Sequence, residues 1–296
     1  MSKAIVLFNP MAGNKESFHE AKEKLIAYLG DKEQIFTDVT AVSDYKELFD
    51  TLEADDEIYV LGGDGTLNHF VNDTVEIEIK NDIYYFAAGT GNDFLNDING
   101  ADREKPLHIN EYIKDLPTVE VNGKTYRFLN GVGYGIDGYC CEVGDEQKLK
   151  SDKPVNYTSI AIKGLLFHYK PTNATVIVDG KEYKYKKVWI APTMNGRFYG
   201  GGMMPTPDQD RLDAEHKVSI CLMYGSGKLH TLMVFPSLFK GEHIKHDKMV
   251  AVHSGHSITV KFDRPTALQI DGETVKDVME YHVESPVPMH AAVAEE

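Results

Sequence analysis

The first 95 residues alternate between short apolar runs and segments with helical spacing. Residues 4–8, 57–61 and 83–87 are nearly continuous apolar runs, which are typical of strands buried on both faces. Residues 16–29 predict a helix that ends at Gly30, and residues 44–54 carry apolar positions at helical spacing. Strands that alternate with helices predict right-handed βαβ units around a parallel sheet.

The pattern changes after about residue 118, where short β-rich segments follow one another. Hairpin signals at 121–124 (Val-Asn-Gly-Lys) and 178–181 (Val-Asp-Gly-Lys) separate some of them, and one predicted helix near 156–168 interrupts the series. The predicted fold class is therefore α/β plus mostly β. The expected domains are an α/β nucleotide-binding domain with a parallel sheet (1–125), an antiparallel β-sandwich-like domain (126–280), and a C-terminal strand or tail (281–296) that could pack back on the first domain.

The net charge of the chain limits the classes of partner that we expect. The 296 residues carry a net charge of −15, which repels nucleic acid, so we expect no nucleic-acid partner. The same charge repels an anionic membrane, which could therefore contact the protein only at a local surface patch. The three cysteines include an adjacent pair and no CxxC motif, which predicts neither a disulfide framework nor structural zinc and favours the cytoplasm. Neither a signal-peptide pattern nor an apolar stretch of membrane-spanning length is present.

A glycine-rich turn follows the run at 57–61 and precedes a predicted helix at 66–77. It reads Gly62-Gly63-Asp64-Gly65-Thr66-Leu67-Asn68. Glycines let backbone N–H groups approach an anion closely, and the start of a helix adds partial positive charge. A carboxylate at Asp64 would repel phosphate unless a divalent cation lay between them. The turn therefore predicts a nucleotide with Mg²⁺, although an ordinary strand-to-helix turn would have similar residues.

Two more turns follow buried strands: Asn9-Pro10-Met11-Ala12-Gly13 and residues 89–93 (Gly-Thr-Gly-Asn-Asp). Parallel α/β sheets bind ligands at the carboxyl ends of their strands, so three unusual turns there predict one shared site. The chain has no GxxxxGK[ST] motif and is not a P-loop protein. A GxGxxG match at 133–138 lies outside the alternating region. We interpret it as a chance match whose glycines shape the wall of a cleft.

Together, these motifs resemble the diacylglycerol kinase catalytic family. The motifs that carry the resemblance are NPMAG (9–13), GGDGTLN (62–68), GTGND (89–93), NGVGYGID (130–137), FYGGGMMPTP (198–207) and IDGE (270–273). The resemblance covers nearly the whole chain and implies a soluble bacterial lipid kinase. In such kinases, ATP and lipid meet in the cleft between two domains.

The resemblance also implies residue roles. Asn9, Pro10, Met11, Ala12, Gly13, Gly62, Gly63, Gly65, Thr66, Asn68 and Thr90 would line the nucleotide, as would Thr40 after a weak strand at 35–39. Asp64 would lie near the γ-phosphate and the metal. Glu273 would accept the proton of the lipid hydroxyl, with Asp271 beside it, because a lipid alcohol is a poor nucleophile at neutral pH.

One departure from the family pattern concerns the metal. The family has a glycine after the aspartate of its structural Mg²⁺ site, whereas Ala214 follows Asp213 here. The remaining candidate ligands are Asp210, Asp213 and Glu215, with side-chain or main-chain oxygens. A solvated acidic loop is the alternative interpretation.

The acceptor and the partners stay open. Diacylglycerol is the expected lipid, and a sphingoid base or another lipid alcohol is an alternative. GGDGT also occurs in NAD kinases, and a non-catalytic nucleotide- or lipid-binding relative is a third reading. We expect a transient, peripheral contact with a membrane. Residues 156–169 could line an acyl pocket or touch a bilayer, although a core helix is the favoured interpretation. A homodimer is compatible with the sequence, which does not fix the oligomeric state.

Overall fold

The structure is a computed structural model that describes residues 2–10, 15–88, 92–98, 101–150 and 155–286. The chain divides into two compact units, residues 1–115 and 116–296. None of the helices in the described residues is long and apolar enough to span a membrane.

The first unit is the predicted α/β domain. Its elements are β1 (Lys3–Phe8), α1 (Lys15–Leu29), β2 (Glu33–Asp38), α2 (Tyr45–Asp50), β3 (Glu57–Gly62), α3 (Asp64–Asp73), β4 (Asp82–Ala87), α4 (Asp93–Asp97), β5 (Leu107–His108) and α5 (Asn110–Lys114). The strand order is β2-β1-β3-β4-β5, and all pairs are parallel except β4 with β5. The apolar runs form β1, β3 and β4, as the sequence predicted.

The second unit is an antiparallel sheet with helices packed on it. Its elements are β6 (Thr118–Val121), β7 (Lys124–Arg127), β8 (Gly131–Tyr134), α6 (Ile136–Lys150), α7 (Tyr157–Lys163), β9 (Thr172–Val178), β10 (Lys181–Val188), β11 (Thr193–Met194), β12 (Val218–Met223), α8 (Lys228–Val234), β13 (Val250–Gly255), β14 (Ser257–Ile270) and β15 (Glu273–Glu284). A π-helical turn, Gly164–His168, extends α7. The main strand order is β13-β12-β11-β8-β14-β15-β6-β7, and β9 joins β10 to β14.

The observed division lies ten residues earlier in the chain than the expected one. The hairpin β6–β7 pairs with β15 through β6, which places residues 118–127 in the sheet of the second unit. Residues 281–284 are the end of β15 and belong to the same sheet. Because residues 287–296 lie outside the described residues, the expected packing of the tail on the first domain stays a prediction.

The sequence missed helix α6. Its glycines suggested a loop, but Gly138 lies in the first turn of α6, against β14. A Cβ added there would lie 1.9 Å from the carbonyl oxygen of Ala267. A contact of this kind excludes any side chain, so Gly138 permits the helix to pack closely on the sheet.

Candidate functional site

Three turns follow adjacent strands of the parallel sheet. β1, β3 and β4 are neighbours in the sheet, and Asn9, Gly63 and Ala88 directly follow their last residues. The three turns therefore begin at one edge of the sheet. Asn9 is half-buried and Pro10 is exposed. The predicted nucleotide contacts Met11, Ala12, Gly13 and Thr90 lie outside the described residues.

The second of these turns leads into α3. Gly63 is the N-cap residue and has no side chain with which to cap this helix end. Helix N–H groups that no side chain caps form an anion site, and the helix dipole adds positive potential there. Thr66, in the first turn, has a buried hydroxyl with no hydrogen-bond partner among the described residues. A Cβ at Gly62 would lie 2.4 Å from that hydroxyl oxygen, so Thr66 packs directly over the glycine. These features fit a bound phosphate group.

Asp64 joins the second turn to the third. Its carboxylate accepts hydrogen bonds from the backbone N–H of Asp93, at 2.7 Å, and of Phe94, at 3.1 Å. These two amides begin α4, so Asp64 caps that helix from a distant part of the chain. The structure thus gives the carboxylate a positioning contact. The sequence had placed it beside the γ-phosphate and a metal.

Tyr85 is a component of this edge that the sequence analysis missed. This β4 residue is fully buried, and its hydroxyl has no hydrogen-bond partner among the described residues. Burial raises its pKa well above the usual value, and the negative charges of Asp64 and Asp93 raise it further. Tyr85 therefore keeps its proton and can donate it in a hydrogen bond. The only sequence signal was a polar atom on an otherwise apolar strand.

Two other predicted nucleotide contacts have different surroundings. Asn68 is buried on α3, with 5% of its surface exposed, and its carbonyl accepts a hydrogen bond from Asn72. Thr40 is exposed, and its backbone N–H and its hydroxyl both donate to the carboxylate of Asp38, at 2.9 and 2.7 Å. Thr40 thus lies on a capped turn at the carboxyl end of β2. Its contact with a nucleotide stays a prediction.

The IDGE motif of the second unit is a hairpin turn. Asp271 and Gly272 connect β14 to β15, and their φ angles of 45° and 99° are those of a tight left-handed turn. The Asp271 carboxylate accepts three backbone N–H bonds, from Leu129 at 2.5 Å, Asn130 at 2.9 Å and Gly131 at 2.9 Å. Three such contacts describe a positioning residue. The sequence had predicted that Asp271 acts catalytically beside Glu273.

The same backbone segment accepts hydrogen bonds from two further residues. The Asn195 side chain donates to the carbonyl of Leu129, and the backbone N–H of Asn195 donates to that of Asn130. Arg211 donates to the Leu129 carbonyl at 3.2 Å and to the Asn130 side chain at 3.1 Å. Residues far apart in sequence are thereby fixed around residues 129–131. Neither Asn195 nor Arg211 was predicted from the sequence.

Glu273 follows this turn directly. It is the first residue of β15, it pairs with Ile270 across the hairpin, and it is exposed. Its charge helps raise the pKa of Cys141 to about 12, although burial is the larger cause. The predicted role of Glu273 as proton acceptor stays a prediction.

The three predicted metal ligands have other contacts. No group of three His, Cys, Asp or Glu side chains in the described part of the chain is placed to hold a metal ion. The Asp210 carboxylate accepts the backbone N–H of Leu212 at 2.9 Å, and Glu215 forms an ion pair with Lys217. The Asp213 backbone accepts the N–H of His216 at 2.8 Å. The side chains present thus do not fit a three-carboxylate Mg²⁺ site. Metal binding that includes main-chain oxygens of this loop stays a prediction.

Asp137 is a buried carboxyl group that differs from Asp64 and Asp271 in its hydrogen bonding. It lies in the first turn of α6 within the second unit, is buried, and has one oxygen with no hydrogen-bond partner among the described residues. Burial raises its pKa to about 7, and the nearby Tyr199 hydroxyl opposes the rise.

Comparisons with solved structures agree with this fold. A diacylglycerol kinase structure from Bacillus anthracis strain Sterne aligns with a TM-score of 0.63 at 19% identity, covering 96% of this chain and 94% of that one. A second structure from the same strain, titled as a "putative diacylglycerol kinase", aligns with a TM-score of 0.60 at 18% identity, covering 96% and 94%. Likeness at this identity shows the fold alone.

Sequence comparisons identify the family. A Staphylococcus aureus strain JH9 protein named "putative lipid kinase" is 26% identical over 230 residues, which are 74% of this chain and 70% of that protein. A protein of the same description from strain Newman matches equally. The family description "Diacylglycerol kinase catalytic domain" matches residues 3–119, and "YegS C-terminal NAD kinase beta sandwich-like domain" matches residues 130–290. The chain belongs to the diacylglycerol kinase-like family of lipid kinases and is a phosphotransferase that acts on an alcohol.

Proposed function

We propose that this protein transfers the γ-phosphoryl group of ATP to the free hydroxyl of diacylglycerol and so makes phosphatidic acid. The observation that carries the proposal is the arrangement of Asp64 and α3. Asp64 is engaged by the amides of Asp93 and Phe94, while the start of α3 has no side-chain cap. The turn therefore presents backbone N–H groups to the nucleotide, which supports ATP as the donor.

Phosphoryl transfer needs in-line positioning and neutralisation of charge more than covalent help. Backbone amides at the strand ends would bind phosphate oxygens, and the Thr66 hydroxyl would gain the partner that it lacks among the described residues. We propose that ATP enters as its Mg²⁺ complex, with the ion held mainly by the phosphates and by water. This form is compatible with the absence of a three-carboxylate site from the described residues.

Glu273 is the proposed proton acceptor. As the P–O bond to the lipid forms and the bond to ADP breaks, the hydroxyl proton passes to the Glu273 carboxylate. The Asp271 turn supports this role because it fixes the first residue of β15 through three backbone hydrogen bonds. Asp271 is in this view a positioning residue.

The test is a labelled-phosphate transfer assay. The purified protein is incubated with γ-labelled ATP, Mg²⁺ and, separately, diacylglycerol, monoacylglycerol, sphingosine, ceramide and NAD, and the products are separated by thin-layer chromatography. We expect label in phosphatidic acid, and about 10²- to 10⁴-fold slower labelling when Glu273→Gln replaces the wild type. Glu280→Gln, an exposed glutamate on the same strand, is the matched control and should retain activity.

Each contrary result has a distinct meaning. Label in NAD alone would support the nucleotide-kinase alternative, and label in sphingosine alone would change the lipid class. Absence of label from every acceptor would overturn the proposed catalytic function.

A further inference from the structure

Two helical segments of the second unit lie side by side and expose apolar side chains. The π-helical turn Gly164–His168 is bonded to the start of α8, because the Lys228 ammonium donates to the carbonyl of Leu166 at 2.8 Å. Phe167 on the first segment is 72% exposed, and Leu229 and Met233 on α8 are 71% and 73% exposed. We call these three side chains the apolar face.

Leu229 and Met233 are four residues apart and so share one side of α8. The opposite side of α8 is anchored, since Thr231 and Val234 are buried. The exposure of Leu229 and Met233 is therefore fixed by the packing of the helix. Large apolar side chains grouped in this way at a surface mark a site that meets a partner or a lipid phase.

The charge around the apolar face differs from that of the whole chain. The whole chain has a net charge of −15, yet residues 155–170 and 226–241 together contain four lysines and no aspartate or glutamate. The lysines are Lys163, Lys170, Lys228 and Lys240. Basic side chains around exposed apolar ones are typical of a surface that lies on anionic lipid.

A cavity beside α8 strengthens this charge complementarity. Its volume is about 350 Å³, and His230, Lys245, His246 and Lys248 contribute to its lining, with Asp247 as the one acidic residue there. His230 follows Leu229 directly, so the cavity opens next to the apolar face. Its chemistry suits an anionic phosphate group.

The acidic side chains that line the two cavities are Glu142, Asp277 and Asp247. Glu142 lines another cavity together with Lys170 and Arg264, and its carboxylate lies 3.6 Å from the Lys276 ammonium. Glu242 pairs with Lys245 at 3.1 Å. These pairs leave the surroundings of the apolar face basic.

We propose that the apolar face is a docking surface for an anionic lipid bilayer. Phe167, Leu229 and Met233 enter the boundary between headgroups and acyl chains, and the lysines and the basic cavity bind lipid phosphates. The proposal rests on the proposed function in one respect, which is that a kinase for a lipid must reach a bilayer. It gives the expected transient membrane contact a location in the fold.

Binding is measured by sedimentation with sucrose-loaded vesicles of phosphatidylcholine, with and without an equal share of phosphatidylglycerol. We expect strong binding only to the anionic vesicles. Leu229→Ser/Met233→Ser should weaken that binding roughly tenfold, because less apolar area is buried. Lys163→Glu/Lys240→Glu should weaken it by a similar factor or more.

Matched variants test whether the location is correct. Tyr28→Ser/Val75→Ser changes two exposed apolar residues of the first unit. Lys184→Glu/Lys186→Glu changes two lysines of β10, a strand that contains four lysines. Both controls should bind vesicles as the wild type does. If the β10 variant lost binding while Leu229→Ser/Met233→Ser and Lys163→Glu/Lys240→Glu retained it, the proposed location would be overturned.

Two further measurements separate the alternatives. Vesicle binding needs no turnover, so it can succeed or fail independently of the proposed kinase activity. Phosphorylation of a short-chain, water-soluble diacylglycerol should be unchanged in the apolar-face variants, while KM for vesicle-borne diacylglycerol rises. Light scattering without lipid gives the mass. A dimer that Leu229→Ser/Met233→Ser converts to monomer would replace the bilayer with a second copy of this chain and overturn the proposal.

Discussion

In the turn around Asp64 and in the turn around Asp271, an aspartate carboxylate accepts backbone N–H bonds from a distant segment of the chain, although the two turns belong to different architectures. Asp64 follows a parallel strand and bonds two amides that begin a helix, whereas Asp271 lies in an antiparallel hairpin and bonds three amides of an irregular segment. Each aspartate belongs to a family motif, and the predicted chemical role of each stays a prediction. In both units the carboxylate joins two pieces of backbone that are distant in the chain.

The two turns differ in the group that lies next to the aspartate. Beside Asp64, the N-cap residue of α3 has no side chain, so the backbone N–H groups of this helix end suit an anion. Beside Asp271, Glu273 is exposed, and its carboxylate is the proposed proton acceptor. A carboxylate that accepts several N–H groups makes a turn rigid, and the neighbouring group then performs the chemistry.

The largest expected effect separates Glu273 from its neighbour Asp271. Glu273→Gln should lower kcat by about 10²- to 10⁴-fold, because the amide cannot accept the lipid proton. Its thermal midpoint should equal that of wild type, since Glu273 is exposed. Steady-state assays and melting curves, with Glu280→Gln as control, measure both. A kcat close to that of the wild type would remove Glu273 as the acceptor.

Asp137 extends the comparison to a carboxyl group that lacks such amide contacts. Its pKa is about 7 in the folded chain, against 3.8 as the ordinary value. Its stabilising contribution is therefore complete below about pH 4, falls as the pH rises to about 7, and is constant above that. At about 1.4 kcal/mol per pKa unit, the loss is up to about 4 kcal/mol.

Denaturant unfolding of wild type and Asp137→Asn at pH 5 and pH 8 tests this prediction. The difference in unfolding free energy between the two proteins should move in favour of the variant at pH 8. Asp208→Asn, at an exposed site, should show no such shift. Identical pH dependence in wild type and Asp137→Asn would show that Asp137 is not buried in its neutral form.

Asp271→Ala should destabilise the second unit by about 3 kcal/mol, because three backbone donors lose a charged acceptor and alanine disfavours the positive φ. Asp271→Asn retains one acceptor oxygen and tolerates that φ, so its loss should be smaller. Hydrogen exchange at the amides of Leu129, Asn130 and Gly131 should accelerate in the alanine variant. Unchanged exchange at those amides would contradict the positioning role.

Asp64→Ala should cost less stability, about 1–2 kcal/mol, because two amides rather than three are involved. Kinase activity should nonetheless be lost, since the third turn would no longer be held against the second. Circular dichroism and an ATP-binding assay measure the two effects. Asp73→Ala, at the exposed far end of α3, is the control and should retain both activity and binding.

The fold of the first unit was predictable because apolar runs mark buried parallel strands. β1, β3 and β4 match the runs to within a residue or two. The hairpins at Asn122-Gly123 and Asp179-Gly180 were predictable for the same kind of local reason, since their positive φ angles favour those residues. Helix α6 was missed because the contact of Gly138 with Ala267 is tertiary and has no local signal.

The candidate site was predictable in its motifs and less so in its roles. Sequence indicated that Asp64 and Asp271 matter but could not show which amides they bond, because those amides lie 29 and about 140 residues away. Arg211 and Asn195 belong to none of the motifs, and only the fold shows that they form hydrogen bonds with residues 129–131. The metal prediction at Asp210, Asp213 and Glu215 came from the family resemblance, and the local loop geometry does not bring those side chains together as one cluster.

Binding of a nucleotide to the turns of the first unit is the claim on which the proposed chemistry depends. Calorimetric titration of the wild type with ATP in the presence of Mg²⁺ measures it directly. We expect saturable heat that corresponds to one ATP per chain, retained in Glu273→Gln and lost in Asp64→Ala. No heat with ATP or with any other nucleoside triphosphate would contradict it.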